Sequence, residues 1–164
     1  MSLEIERRFI VKGDNWKEFI QNSQELKQGY LANSKKEWTI RVRIVDKKQS
    51  LLTLKHPKEG IIRHEFEYII PISDGLSIFE MSNFSLSKTR HELFFNHQKW
   101  IIDCFKFNNY PLVIAEIELN RINQSIEIPS WCSSEVSHLK EFSNAMLAKS
   151  PISTWPIGKK HLIL

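Results

Sequence analysis

Carboxylates and bases recur at every second position along this chain. They stand in Glu4-Ile5-Glu6-Arg7-Arg8, Arg41-Val42-Arg43, Glu65-Phe66-Glu67, Lys88-Thr89-Arg90 and Glu116-Ile117-Glu118. Two residues of extended strand span about 6.8 Å, and at an effective dielectric of about 20 two carboxylates at that distance repel by about 2.5 kcal/mol. Water screens such a pair when it is exposed. Three such pairs drawn into one concavity need cations. An all-oxygen acid set suits a hard divalent cation such as Mg2+ or Mn2+. The arginines and lysines suit phosphate, with arginine giving two-pronged contacts. A metal ion together with a polyphosphate is the ligand that uses both sets.

Strands must position these residues, because only a period of two puts i and i+2 on one face. Alternating segments run over 3–11, 27–33, 37–46, 50–57, 61–71, 86–96, 99–107 and 111–120, and 122–129 offers a further one. Residues 13–26 predict a short helix capped at Asp14, and 73–84 predict a second. Helical spacing of Leu139, Phe142, Met146 and Leu147 predicts a third over about 137–149. Pro156 and Gly158 argue against one continuous element in the tail 151–164. Short turns between strands favour antiparallel neighbours, and about eight of them make a barrel or a sandwich.

When each strand is divided by face, one side collects Glu4, Glu6, Glu65, Glu67, Asp103, Glu116 and Glu118. With them stand Arg8, Arg41, Arg43, Lys55, Arg63, Lys88 and Arg90. A single charged strand face ordinarily meets water. The repetition across strands points instead to closure with this face inward, a lumen lined by charge, and an apolar outer face covered by helices. Tyr30 and the six scattered histidines read as packing or surface residues.

The totals bound the rest. The chain has 164 residues, 41% of them hydrophobic, and a net charge of +4, which fits one domain and does not by itself imply nucleic acid. Cys104 and Cys132 show neither ligand spacing nor a disulfide framework. No apolar run approaches the roughly 20 residues of a membrane helix, and the charged start is not a signal peptide. The expectation is a cytoplasmic protein of one domain, 1–164, with its oligomeric state, including a homodimer, left open.

LEIERRFIV resembles the ExExK signature of the CYTH domain, the triphosphate tunnel metalloenzymes. LKQGYL, TIRVRI, LTLK, RHEFEYIIP, LSKTRHEL, the strand with Asp103, VIAEIELN and PSWCSSEVS follow in that family's order, over about residues 3–150. The resemblance implies an α+β, mainly antiparallel fold: an eight-stranded closed tunnel with a charged lumen and flanking helices. It implies a bound triphosphate-containing small molecule and one or two divalent cations, Mg2+ or Mn2+. Family activities include inorganic triphosphatase, thiamine triphosphatase, RNA triphosphatase and class IV adenylate cyclase, and short bacterial members resemble the first. A non-catalytic polyphosphate-binding module is the reading from outside the enzymes.

By position, the resemblance implies metal ligation by Glu4, Glu6, Asp103, Glu116 and Glu118. It implies phosphate binding by Arg8, Arg41, Arg43, Lys55, Arg63, Lys88 and Arg90, and a catalytic set of Glu4, Glu6, Glu65, Glu67 and Lys88. Two departures stand out. Arg8 occupies the lysine position of the signature. Further on, His138, Leu139, Glu141 and Phe142 replace the Gly, Asp, Arg and Tyr of the family's EVT-G-D-x-R-Y-x-N segment.

Overall fold

Alternation governs the architecture. The computed structural model describes residues 3–33 and 38–163. Nine strands follow in order: β1 (Leu3–Val11), β2 (Ile20–Asn33), β3 (Thr39–Val45), β4 (Gln49–Glu59), β5 (Ile62–Ile70), β6 (Phe84–Phe95), β7 (Gln98–Phe105), β8 (Val113–Glu118) and β9 (Cys132–Glu135). Helix α1 (Ile72–Glu80) lies between β5 and β6, and α2 (Asn144–Lys149) follows β9. The sheet runs β5-β4-β3-β2-β6-β7-β8-β1, and β1 returns to β5, so eight antiparallel strands close a barrel as expected.

β1 is the seam. One of its edges pairs with β8 over Glu6–Ile10. The other pairs with β5 through Leu3, Glu4 and Ile5, then with β9 through Phe9 and Val11.

Three local expectations are corrected. Residues 13–26 do not form a helix. A 3-10 turn spans Asn15–Phe19, and the chain enters β2 at Ile20. The stretch from Ile20 to Leu26 lies against Leu93–Lys88 of β6, so cross-strand pairing overrides a polar local sequence. Residues 122–129 form no strand, and the ninth strand is β9 instead. The helix over 137–149 reduces to a 3-10 turn at Lys140–Phe142 and the six residues of α2, whose first turn is capped by Ser143 Oγ accepting from Met146 N. In the tail, two further 3-10 turns span Ile152–Thr154 and Ile157–Lys159.

Two apolar clusters flank the ionic lumen. Outward residues Ile5, Phe9, Leu93, Trp100, Ile102, Ala115 and Ile117 pack with Trp16 of the first 3-10 turn and Trp131 before β9. Turns and a loop, rather than a helix, cover that side of the barrel. α1 covers the other side, and its Gly75 lies so close to β4 that a Cβ there would sit 2.3 Å from Ser50 Cβ.

The second cluster changes the character of the lumen. Ile10, Leu86, Phe105 and Ile114 each stand two residues from an ionic inward residue: Arg8, Lys88, Asp103 and Glu116. They pack with Phe142, Leu147 and Trp155. The inward face is therefore ionic over its middle and apolar at this end, where the C-terminal segment seals it.

Candidate active site

Register decides which charges meet. Across β1 and β8, Glu6 stands opposite Glu118 and Arg8 opposite Glu116. Across β4 and β5, Lys55 faces Glu65 and Thr53 faces Glu67, while Arg41 of β3 faces Thr53. Across β6 and β7, Arg90 faces Asp103. Residues opposed in this way share a face, so strands remote in sequence deliver their charges to one lumen.

A cavity of about 190 Å³ occupies the middle of the barrel. Its walls carry the carboxylates Glu4, Glu6, Glu65, Glu116 and Glu118. Against them stand Arg41, Arg43, Lys55 and Arg90, together with Asn144 from the start of α2. Arg8, Arg63, Glu67, Lys88 and Asp103 do not line it. Arg8 and Asp103 are buried behind the wall, Lys88 is fully buried, and Glu67 sits against Arg41. Arg63, opposite Glu4 on β1 and Pro57 on β4, is half-buried.

Three ionic groups organise the wall. In the first, Lys55 Nζ donates to both Glu4 oxygens at 2.8 and 2.7 Å and lies 2.8 Å from Glu65 Oε2. Burial pulls the Lys55 ammonium down, yet Glu4, Glu6 and Glu65 outweigh it and leave its pKa raised. Burial pushes the Glu65 carboxyl up, and Lys55 outweighs that, holding it below its ordinary value.

In the second group, Arg41 Nη2 donates to Thr53 Oγ1 at 3.0 Å and to Glu67 at 3.4 Å, while Thr53 donates to Glu67 at 2.8 Å. Arg43 Nε donates to Gln28 Oε1 at 3.1 Å. Burial, then the neighbouring Arg41 and Arg90, lower Arg43 to about 9. Arg41 Nε is buried and finds no acceptor among the described residues.

The third group is the most enclosed. Asp103 Oδ2 accepts from Lys88 Nζ at 2.5 Å, and Arg90 forks onto Asp103 through Nε and Nη2, each at 2.8 Å. Arg90 Nη2 also donates to Glu116 at 3.2 Å, and Lys88 donates to Asn144 Oδ1 at 2.8 Å. Burial lowers Lys88 to about 8 against the pull of Asp103. The Asp103 carboxyl, despite burial, is driven well below the carboxylate range by Arg90 and Lys88. Nearby, Arg8 Nη1 donates to the Phe142 carbonyl at 2.8 Å, and Arg8 Nε lies 3.7 Å from Glu6.

The acids along β1 and β8 have the character of a cation site. Glu6 and Glu118 are like charges directly opposed, an arrangement that destabilises a sheet unless a cation intervenes. Burial and then the acids Glu4, Glu65 and Glu6 raise Glu118, and burial followed by Asp103 and Glu6 raises Glu116. No ion pair reaches Glu118 among the described residues. The donors are all carboxylate oxygens, which fits a hard divalent ion. As the side chains stand, no three acids, histidines or cysteines among the described residues converge as a ready-made metal cage.

Sequence reasoning missed Asn144, Gln28 and Thr53 as members of this network. Thr53 and Gln28 share the inward parity of Lys55 and Tyr30, so alternation reaches them. Asn144 belongs to a helix start, and no period marks it. Tyr30, read as a packing residue, is buried and accepts from Gln28 Nε2 at 2.9 Å.

Comparisons with known proteins agree with this architecture. A family model described as the CYTH domain matches residues 2–149. A curated inorganic triphosphatase of Acetivibrio thermocellus is 36% identical over 153 residues, which cover 92% of this chain and 96% of that protein. The crystal structure of the inorganic triphosphatase NE1496 is 26% identical, with a TM-score of 0.63 over 90% of this chain and 95% of its own. HpAC1 from Hippeastrum, an adenylyl cyclase candidate whose structure is described as revealing a dominant triphosphatase activity, is 15% identical. Its TM-score is 0.57 over 72% of this chain and 80% of its own, a likeness of fold alone.

Proposed function

The chain belongs to the CYTH domain family, and on that premise we propose that it is a divalent-metal-dependent triphosphatase whose first substrate is inorganic tripolyphosphate. One observation carries the reading. Among the described residues, the side chains on the cavity wall are four bases, five carboxylates and Asn144, with the buried Arg41 Nε left without an acceptor. The 36% identical inorganic triphosphatase supports the choice of substrate.

Charge arithmetic supports metal dependence. Five carboxylates against four bases leave the wall with one net negative charge. Such a wall favours a polyanion accompanied by a divalent cation over a bare one. Glu6, Glu116 and Glu118, joined by Glu4, would hold Mg2+ or Mn2+. The ion, when bound, supplies charge neutralisation at the phosphate oxygens.

The chain's own groups do the rest. Arg41, Arg43, Lys55 and Arg90 bind and orient the phosphates, the two arginines of β3 from one side and Arg90 from β6. Glu65 is the carboxylate placed to orient the attacking water. It lines the cavity, and Lys55 Nζ, 2.8 Å from its Oε2, fixes the carboxylate there. Lys55 also keeps Glu65 ionised at neutral pH. Attack of water on a terminal phosphorus breaks the bridging P–O bond and gives orthophosphate and pyrophosphate. The apolar seal formed by Ile10, Phe105, Phe142 and Leu147 keeps bulk water from the far side.

The class IV cyclase reading lacks support from the cavity, because among the described residues no aromatic or aliphatic side chain on its wall offers an adenine face. The test is phosphate release from tripolyphosphate, ATP, thiamine triphosphate and longer polyphosphate, each with Mg2+ and with Mn2+. Tripolyphosphate is expected to turn over fastest and Glu4→Gln to abolish turnover. Cyclic AMP from ATP, or phosphate release unchanged by Glu4→Gln, overturns the proposal.

A further inference from the structure

We propose that Asp103 is a positioning residue for Arg90, backed by Lys88 and Asn144, and not a ligand for the metal. The inference rests on the reading of Arg90 as a phosphate-binding base.

Both Asp103 oxygens are already committed. Oδ1 accepts from Arg90 Nε, and Oδ2 accepts from Arg90 Nη2 and Lys88 Nζ, so three charge-assisted donors serve one carboxylate. The carboxylate is fully buried and does not reach the cavity wall. A dication approaching it would displace two cations that are themselves enclosed. The acids of β8 have no such obligation: Glu118 has no ion-pair partner among the described residues, and Glu116 meets only the longer 3.2 Å contact of Arg90.

What the carboxylate does instead is set by register. Arg90 and Asp103 are directly opposed across β6 and β7, so the fork is short and planar. It fixes the guanidinium by its Nε and Nη2 edge. Nη1 makes no hydrogen bond among the described residues, while Arg90 lines the cavity, so the fork leaves Nη1 as the donor for a ligand. Lys88 anchors the arrangement from behind. Its Nζ lies between Asp103 and Asn144, 5.3 Å from the centre of the Phe105 ring, and is fully buried. Held there, Lys88 balances Asp103 and does not touch the phosphates itself.

The test separates metal from anion with charge-neutral variants. Lys88→Met/Asp103→Asn and Arg90→Gln/Asp103→Asn each remove one base and one acid, so the net charge around a bound cation is unchanged. Mn2+ alone is titrated by electron paramagnetic resonance, and tripolyphosphate alone by calorimetry. The expected result is Mn2+ affinity within about threefold of wild type in both, and tripolyphosphate affinity reduced about tenfold or more in Lys88→Met/Asp103→Asn. Arg90→Gln/Asp103→Asn should bind tripolyphosphate no worse than Arg90→Gln alone, because the second change acts only through the first.

A fall in Mn2+ affinity of about tenfold or more in either folded variant overturns the proposal, as does an additive loss of tripolyphosphate binding. Replacing a buried ion pair by neutral groups of similar shape is often tolerated, so at least one of the two pairs is expected to fold. A wild-type protein that binds tripolyphosphate neither alone nor with Mg2+ would count against the proposed function. The Mn2+ titration judges Asp103 independently of that outcome.

Discussion

Replacing Lys55 by methionine removes the charge that joins Glu4 and Glu65 while keeping most of the side-chain volume. Lys55 Nζ lies within 2.8 Å of an oxygen on each acid, and all three side chains are no more than 20% exposed. One oxygen of Glu4 lies 2.7 Å and one of Glu65 2.8 Å from Nζ, so without the ammonium they face each other across at most the sum of those contacts, a repulsion of at least about 3 kcal/mol at an effective dielectric of about 20. That energy raises the apparent pKa of one carboxyl by about two.

The pH dependence follows from the directions of the shifts. In the wild type Glu65 is held low, so its contribution is present above the unfolded carboxylate value of about 4.3 and is lost as pH falls through the folded value. Lys55 is raised, so its contribution is present below about 10.4 and is lost as pH rises through its folded value. Both contributions operate between about pH 5 and pH 10. In Lys55→Met the sign reverses, because a carboxyl with a raised pKa is stabilising when protonated and costly when ionised. The variant should therefore lose about 3 kcal/mol at pH 8, a fall of about 6–12 °C in Tm for a chain of this length. The loss should shrink clearly at pH 5. Urea denaturation at the two pH values measures it, and Mn2+ should restore more stability to the variant than to the wild type by occupying the freed acids. An equal loss at both pH values, or none at pH 8, would refute the reasoning.

Asn144→Ala takes one of two hydrogen-bond acceptors from the buried Lys88 ammonium and should cost about 1–3 kcal/mol by chemical denaturation. Because burial and neighbouring acids raise Glu116 and Glu118, a bound cation competes with protons that these carboxylates hold more readily than ordinary ones do. Mn2+ affinity should decline as pH falls from 8 to 5, with a shallower slope in Glu118→Gln. Gly75→Ala drives a methyl into Ser50 and should destabilise by about 1–3 kcal/mol, read as a lower urea midpoint. Phe142→Ala empties the seal where the ring meets Trp155 at 5.2 Å, and should cost about 3–5 kcal/mol.

The barrel was legible in the sequence because the period of two is a backbone property, and it carried Arg41 with Arg43 and Glu116 with Glu118 onto the cavity wall without any knowledge of register. What alternation could not supply was depth. Lys88 and Arg90 share a face, yet Arg90 reaches the cavity while Lys88 is enclosed, because α2 lays Asn144 over one and not the other. Arg63 has the right parity too and stands opposite Glu4, but near the start of β5 it lies off the wall. Ile20–Leu26 misled because its polar residues look helical in isolation. Its strand identity comes from Leu93–Lys88, some seventy residues away in sequence. The shortened helix at 137–149 has a similar origin: Phe142 and Leu147 are buried by the end of the barrel, and packing against it, not helical continuity, sets their spacing.

The seam strand has a consequence for how the protein comes into being. β1 is synthesised first, but its partners reach from residue 62 to residue 135. Topology of this kind, rich in distant pairings, is slow to fold. During synthesis the Glu4 end of β1 can meet β5 early, but the stretch from Glu6 onward must wait until β8 has left the ribosome. The half of the cavity that gathers acids is then assembled last, in a chain whose basic strands β3 and β6 can already have found β2.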